Sequence, residues 1–152
     1  MDSPAPRHYR HIEVHRIAGA LGAEVRGVDI ARPPDDAVIA ELRQAFLDHQ
    51  VMFLRGQRLA PRQLLAFACA FGQPMEYPQL KGLPECPLVT PVIKLEQERH
   101  NFGGVWHSDT AYLEQPPMGS MLLAREVPPY GGDTLFASQY LAYESLSAGM
   151  KR

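Results

Sequence analysis

The sequence predicts an α+β fold, mostly β, with strands and two helices at the front and more short strands behind. Three observations predict it. Apolar and polar residues alternate with period two over residues 11–16 and 23–30, as in strands that bury one face. Apolar residues recur at helical spacing from Pro33-Pro34-Asp35-Asp36 to about residue 49, and again after Pro61. From Leu88 onward, short apolar runs are separated by Pro and Gly, the punctuation of a strand-rich region.

Taken in order, residues 1–10 are Pro-rich and polar and read as a flexible N-terminus; residues 11–152 read as one body. His11 to Arg16 is the first strand, Gly19 and Gly22 bracket a turn, and Ala23 to Ile30 is the second strand. Asp35 and Asp36 then place acids at the positive end of a helix dipole. Val38, Ile39, Leu42, Ala45 and Phe46 share one helical face. Val51 to Leu54 is a short apolar strand closed by Arg55-Gly56. Pro61 opens a second helix and Gly72 stops it. Residues 73–86 are a loop. Strands are expected over 88–95, 105–109, 118–127 and 133–137, with a Gly103-Gly104 loop before the second of these and a Pro128-Pro129-Tyr130-Gly131-Gly132 turn before the last. Gln139 to Leu146 is helical. Ser147 has the chemistry of an N-cap for a further helix, with only five residues after it, which suggests that the element continues beyond this sequence. No internal repeat or low-complexity tract is present.

The bulk numbers narrow the class. The chain has 152 residues, 45% of them hydrophobic and 21% charged, an ordinary globular composition. A net charge of −2 and a pI of about 6.3 offer no basic footprint for nucleic acid or an anionic membrane. No run of about 18 apolar residues suggests a membrane span, and Met1 to Pro6 lacks a secretory pattern. Two cysteines, Cys69 and Cys86, make a poor disulfide framework. Cys69, in an apolar helical run, is expected to be a buried reduced thiol, and a cytoplasmic location is expected.

The chemistry concentrates in Trp106-His107-Ser108-Asp109. On a strand, residues i and i+2 point to the same face, so His107 and Asp109 would project together. Two His and one carboxylate with open positions form the facial triad of non-haem Fe(II) oxygenases. His-x-Asp alone is a weak signal, and Trp106 equally suits a core anchor. No His follows His107. His100 precedes a glycine loop and reads as a solvated residue. His8, His11 and His15 could suggest a metal cluster but read better as a polar edge.

Several blocks carry a more specific signal: residues 101–109, then Pro116-Pro117-Met118-Gly119, then Gly131-Gly132-Asp133-Thr134-Leu135-Phe136-Ala137, then Ala142 to Ser147, preceded by Leu21 to Asp29 and His49 to Arg55. Together these resemble the TauD/TfdA family of Fe(II)/2-oxoglutarate dioxygenases, over nearly the whole chain from about residue 12. The resemblance implies a partial double-stranded β-helix, the clavaminate synthase-like jelly roll, preceded by strands and helices. It implies that His107 and Asp109 are the first two Fe(II) ligands, that Thr134 hydrogen-bonds a carboxylate of 2-oxoglutarate, and that O₂ is the oxidant, with succinate and CO₂ as coproducts. The partner is then a small anionic substrate. Homo-oligomers are common in the family.

The departures are informative. The family's distal His and its carboxylate-binding Arg have no counterpart here, and family members run to roughly twice this length, so the chain reads as an N-terminal portion whose isolated activity should be absent or slight. Taurine-cleaving members carry Asn where this chain has Gly103, and their His-then-Tyr pattern after Phe-Gly is not reproduced after Phe71-Gly72, where Tyr77 is the nearby aromatic. Gly103 and Tyr77 are therefore the candidate substrate positions, and a different sulfonate, a sulfate ester or an aryloxy acid is as fitting as taurine. The alternatives are a non-catalytic remnant or module, and completion in trans by a second polypeptide carrying the His and Arg.

Overall fold

The computed structural model describes residues 8–78, 80–100 and 102–152. Most of the flexible N-terminus expected over residues 1–10, and Asn101 of the motif block, lie outside them. The chain divides into two compact units: one runs through Arg58 and resumes over Arg125–Arg152, and the other is Leu59–Ala124.

The first unit is built on a three-stranded sheet in the order β1-β2-β3. β1 (Glu13–Arg16) pairs antiparallel with β2 (Ala23–Arg26), Val14 opposite Val25, and β2 pairs parallel with β3 (Met52–Phe53), Ala23 opposite Met52. Gly22, at φ +95, ends the β1–β2 turn, its carbonyl accepting from the Ile17 amide at 3.1 Å. β2 is shorter than the expected 23–30 because Gly27 turns left-handed at φ +81. Within β2, Ala23 and Val25 are buried while Arg26 is exposed, the alternation a half-buried strand requires.

α1 (Asp36–His49) joins β2 to β3 and buries Leu42 and Ala45. These are positions of the face read from the periodicity, and they join Ile12, Ala23, Val25 and Ile30 as the unit's buried apolar residues. Glu41 on α1 accepts hydrogen bonds from the amides of Arg10, His11 and Ile12 at 2.7–3.2 Å. Burial pushes its carboxyl up, but those three donors and the nearby His11 outweigh burial and hold it below the usual carboxylate range. Glu24 on β2 accepts from Arg26 Nε at 2.6 Å and Arg55 Nε at 2.9 Å, and these two guanidinium groups hold its carboxyl low. At the other end of α1, burial pushes the His49 imidazole down.

Residues 125–152 belong to this unit, and two contacts fix their central stretch. Phe136 stacks edge-to-face on Phe53 with ring centroids 6.4 Å apart. Ser138 Oγ donates to Gln50 Oε1 at 2.8 Å while capping α3 (Gln139–Glu144). Ser147 begins a single turn, its carbonyl accepting from the amides of Met150 and Lys151, rather than a further helix.

In the second unit, α2 (Pro61–Cys69) starts with Pro at its first turn, and Gln63 Oε1 accepts from the Ala60 amide at 2.8 Å. Phe67 is its buried residue and packs edge-to-face on Phe71. Cys69 is exposed, against expectation, while Cys86 is buried. Two residues along a helix is about 200° of rotation, so a helix that buries Phe67 turns Cys69 away.

The expected strands 88–95, 105–109, 118–127 and 133–137 do not form: these residues are irregular, with bends and turns. A strand is stable only when a neighbour takes up its backbone hydrogen bonds, and no ladder partner for these segments is found among the described residues. Their apolar side chains stay exposed, among them Ile93, Val105, Leu122 and Leu135. No helix among the described residues is long and apolar enough to cross a membrane.

Candidate metal centre

The chain around the His-x-Asp motif is irregular rather than a strand, yet its two functional groups converge. His107 Nε2 stands 3.2 Å from Asp109 Oδ1, with the side chains 50% and 46% exposed. Local bends do what the pleat was expected to do. The turn at Phe102-Gly103 has Gly103 at φ +69, and Thr110, directly after Asp109, is buried at φ +45, a left-handed value that a β-branched residue rarely adopts.

Each group is oriented from outside the pair. His107 Nδ1 lies 2.7 Å from the Val105 carbonyl oxygen. A carbonyl can only accept, so Nδ1 carries the proton and donates. In the neutral ring this leaves the Nε2 lone pair facing Asp109 Oδ1. Two lone pairs 3.2 Å apart repel unless a proton or a cation lies between them. Asp109 Oδ2 is engaged separately, accepting from Ser120 Oγ at 2.7 Å.

The spacing fits a divalent ion. Donor atoms about 2.1 Å from one metal and at right angles to each other stand about 3.0 Å apart, close to the observed 3.2 Å. An imidazolium–carboxylate ion pair would have the same spacing, so distance alone fits both. No group of three His, Cys, Asp or Glu side chains suited to a metal is found among the described residues. His11, His15 and His100 are all exposed; His15 pairs with Glu13 on the edge strand at 3.6 Å, as a polar edge does.

Gly103 packs on this centre. A Cβ placed there would come within 3.2 Å of His107 Cε1 and 3.8 Å of Nε2. Tyr77 lies in the loop after α2, its carbonyl accepting from the Leu80 amide. Thr134 is exposed and belongs to the first unit, in the stretch held by Phe136 and Ser138. Sequence reading missed Ser120 and the Val105 carbonyl. Ser120 lies eleven residues beyond Asp109, with no spacing rule to link them, and a backbone acceptor has no side-chain signature.

Comparison with known proteins decides the family. The family described as taurine catabolism dioxygenase TauD, TfdA matches residues 13–152. The chain belongs to the TauD/TfdA family. Among its TauD/TfdA relatives, an alpha-ketoglutarate-dependent sulfate ester dioxygenase of Pseudomonas putida is 31% identical over 91% of this chain and 46% of its own length. The (S)-phenoxypropionate/alpha-ketoglutarate-dioxygenase of Sphingobium herbicidovorans is 30% identical over 91% of this chain and 49% of its own. The crystal structure of a taurine dioxygenase from Burkholderia xenovorans superposes with a TM-score of 0.80 at 34% identity, covering 93% of this chain and 50% of that one. This TauD/TfdA chain thus spans about half the length of the relatives it matches.

Proposed function

We propose that this chain is the front part of an Fe(II)- and 2-oxoglutarate-dependent dioxygenase that hydroxylates a small anionic substrate. The observation that carries the reading is the convergence of His107 Nε2 and Asp109 Oδ1 at 3.2 Å in a chain of the TauD/TfdA family. In this reading His107 and Asp109 supply two of three protein ligands, and the third belongs to sequence that the relatives have and this chain does not cover. The bound iron would activate O₂ at the expense of 2-oxoglutarate, giving succinate and CO₂ as coproducts. The double-stranded β-helix around the site is part of the same proposal.

The chain's own residues have definable tasks. Val105 fixes the His107 tautomer so that Nε2 is the ligating nitrogen. Asp109 brings the negative charge that offsets the cation. Thr134 donates its hydroxyl to a carboxylate of 2-oxoglutarate, a charge-assisted bond. Gly103 spares His107 the crowding that a Cβ 3.2 Å from its Cε1 would bring, and Gly103 and Tyr77 are the candidate substrate positions. Relatives named for sulfate ester and phenoxypropionate substrates support an organic anion of the sulfonate, sulfate ester or aryloxy acid class.

The test is anaerobic calorimetric titration with Mn(II) and 2-oxoglutarate, followed by succinate measurement in air with Fe(II). We expect His107→Ala and Asp109→Ala each to weaken metal binding by more than about 100-fold, since even a supporting contact is commonly worth 10–100-fold. Equal affinity in wild type and both variants would refute the assignment. A second reading, a non-catalytic remnant or module, draws on the lack of a third ligand among the described residues. It predicts metal binding too weak to detect in any form of the protein, whereas a form carrying a further His and Arg should turn over substrate.

A further inference from the structure

We propose that Ser120 is a positioning residue for the metal centre: its hydroxyl holds Asp109 Oδ2 and so presents Oδ1, beside His107 Nε2, as the single ligating oxygen. This inference rests on the metal-binding reading of His107 and Asp109 given above.

A carboxylate has two oxygens and about four acceptor sites, and the terminal torsion of Asp is broad and nearly two-fold. With its side chain 46% exposed, Asp109 has little packing to decide which oxygen faces His107. The Ser120 bond decides it. At 2.7 Å, hydroxyl to anionic oxygen, it has the short, charge-assisted geometry of the stronger hydrogen bonds. It comes from beyond Pro116-Pro117, so it also ties the 105–110 bend to a separate stretch of chain. The His107 ring is fixed in the same manner by the Val105 carbonyl at 2.7 Å. Each donor atom aimed at the shared point therefore has its opposite end held, one by backbone and one by Ser120. Outer contacts of this kind orient ligands and are commonly worth 10–100-fold in metal affinity.

Ser120 is itself exposed, so truncation leaves no cavity and Ser120→Ala should fold. Mn(II) affinity would be measured by the loss of the free-ion paramagnetic resonance signal, at one pH, on wild type, Ser120→Ala and Ser120→Thr, with denaturation midpoints taken alongside. We expect a drop of about tenfold or more for Ser120→Ala, recovery in Ser120→Thr, which keeps the hydroxyl, and midpoints that stay together. Wild-type affinity in Ser120→Ala would overturn the inference while leaving the metal reading intact. An affinity loss matched by a fallen midpoint and not recovered by Thr would also overturn it, by showing a purely structural role. Absence of Mn(II) binding in wild type would overturn the metal reading, and this inference with it.

Discussion

At the scale of single residues, the centre depends on what position 103 leaves out. Gly103 sits at φ +69 with its missing Cβ 3.2 Å from His107 Cε1. Ala there would meet two penalties. A left-handed backbone costs a residue with a Cβ about 1–2 kcal/mol, and the methyl must push the imidazole. Because His107 is also held at Nδ1 by Val105, the ring cannot swing aside without giving up that bond. Gly103→Ala is therefore expected to lower stability by about 1 kcal/mol and Mn(II) affinity several-fold, read by chemical denaturation and titration. An Ala variant that binds as wild type does would show that the ring has room to move. The pairing of His107 with Asp109 was legible in the sequence, since the residue types and their spacing are local information. The contacts that orient them were not: Ser120 is distant in sequence and Val105 acts through its backbone.

At the scale of elements, the sequence was read well wherever structure is set locally. α1 begins and ends where its acids and periodicity place it, and α2 starts at Pro61. The turn at Gly22 follows from the backbone freedom of glycine, whereas Gly27, read as part of the second strand, ends it at Arg26 by the same freedom. Strands require non-local partners, and the same reasoning that located β1, β2 and β3 placed strands at 88–95 and 118–127 where no ladder forms. Cys69 was misjudged because its surrounding run is apolar on more than one side, and only packing shows which side is covered. The attachment of the leading segment to α1 gives a prediction with a definite sign. Glu41 has a folded-state pKa below its ordinary value, so its contribution is present above the unfolded pKa of about 4.3 and is lost as pH falls through the folded value. The amide resonances of Arg10, His11 and Ile12 should move together below about pH 4.3, and Glu41→Gln should abolish that shared titration. Independent movement of the three amides in wild type would exclude a common carboxylate.

At the scale of the whole molecule, the surface is too large for the mass. The chain exposes 12510 Å². Two separate compact bodies sharing 17.0 kDa would expose about 9,300 Å², roughly 3,000 Å² less. Large apolar side chains contribute to the excess: Val105 is 78% exposed, Trp106 70%, Leu122 77% and Leu135 72%. Exposed large apolar side chains in such numbers mark a surface that proteins normally cover. Among the described residues the same segments have no strand partner, so neither a ladder nor a packed face covers them. The chain by itself is therefore expected to bind apolar dyes and to self-associate with rising concentration. Trp106 reports on this directly, being the chain's single tryptophan and a neighbour of His107. In dilute solution it should emit at the wavelength of a solvated indole and be quenched readily by acrylamide. A longer polypeptide carrying the half of the relatives that this chain does not match should shift that emission to the blue, resist quenching and lose dye binding, all in the same preparation. Should the 152-residue chain sediment as a monomer at every concentration, with Trp106 already shielded, its apolar segments would be covered from within, and the need for a complementary half would disappear.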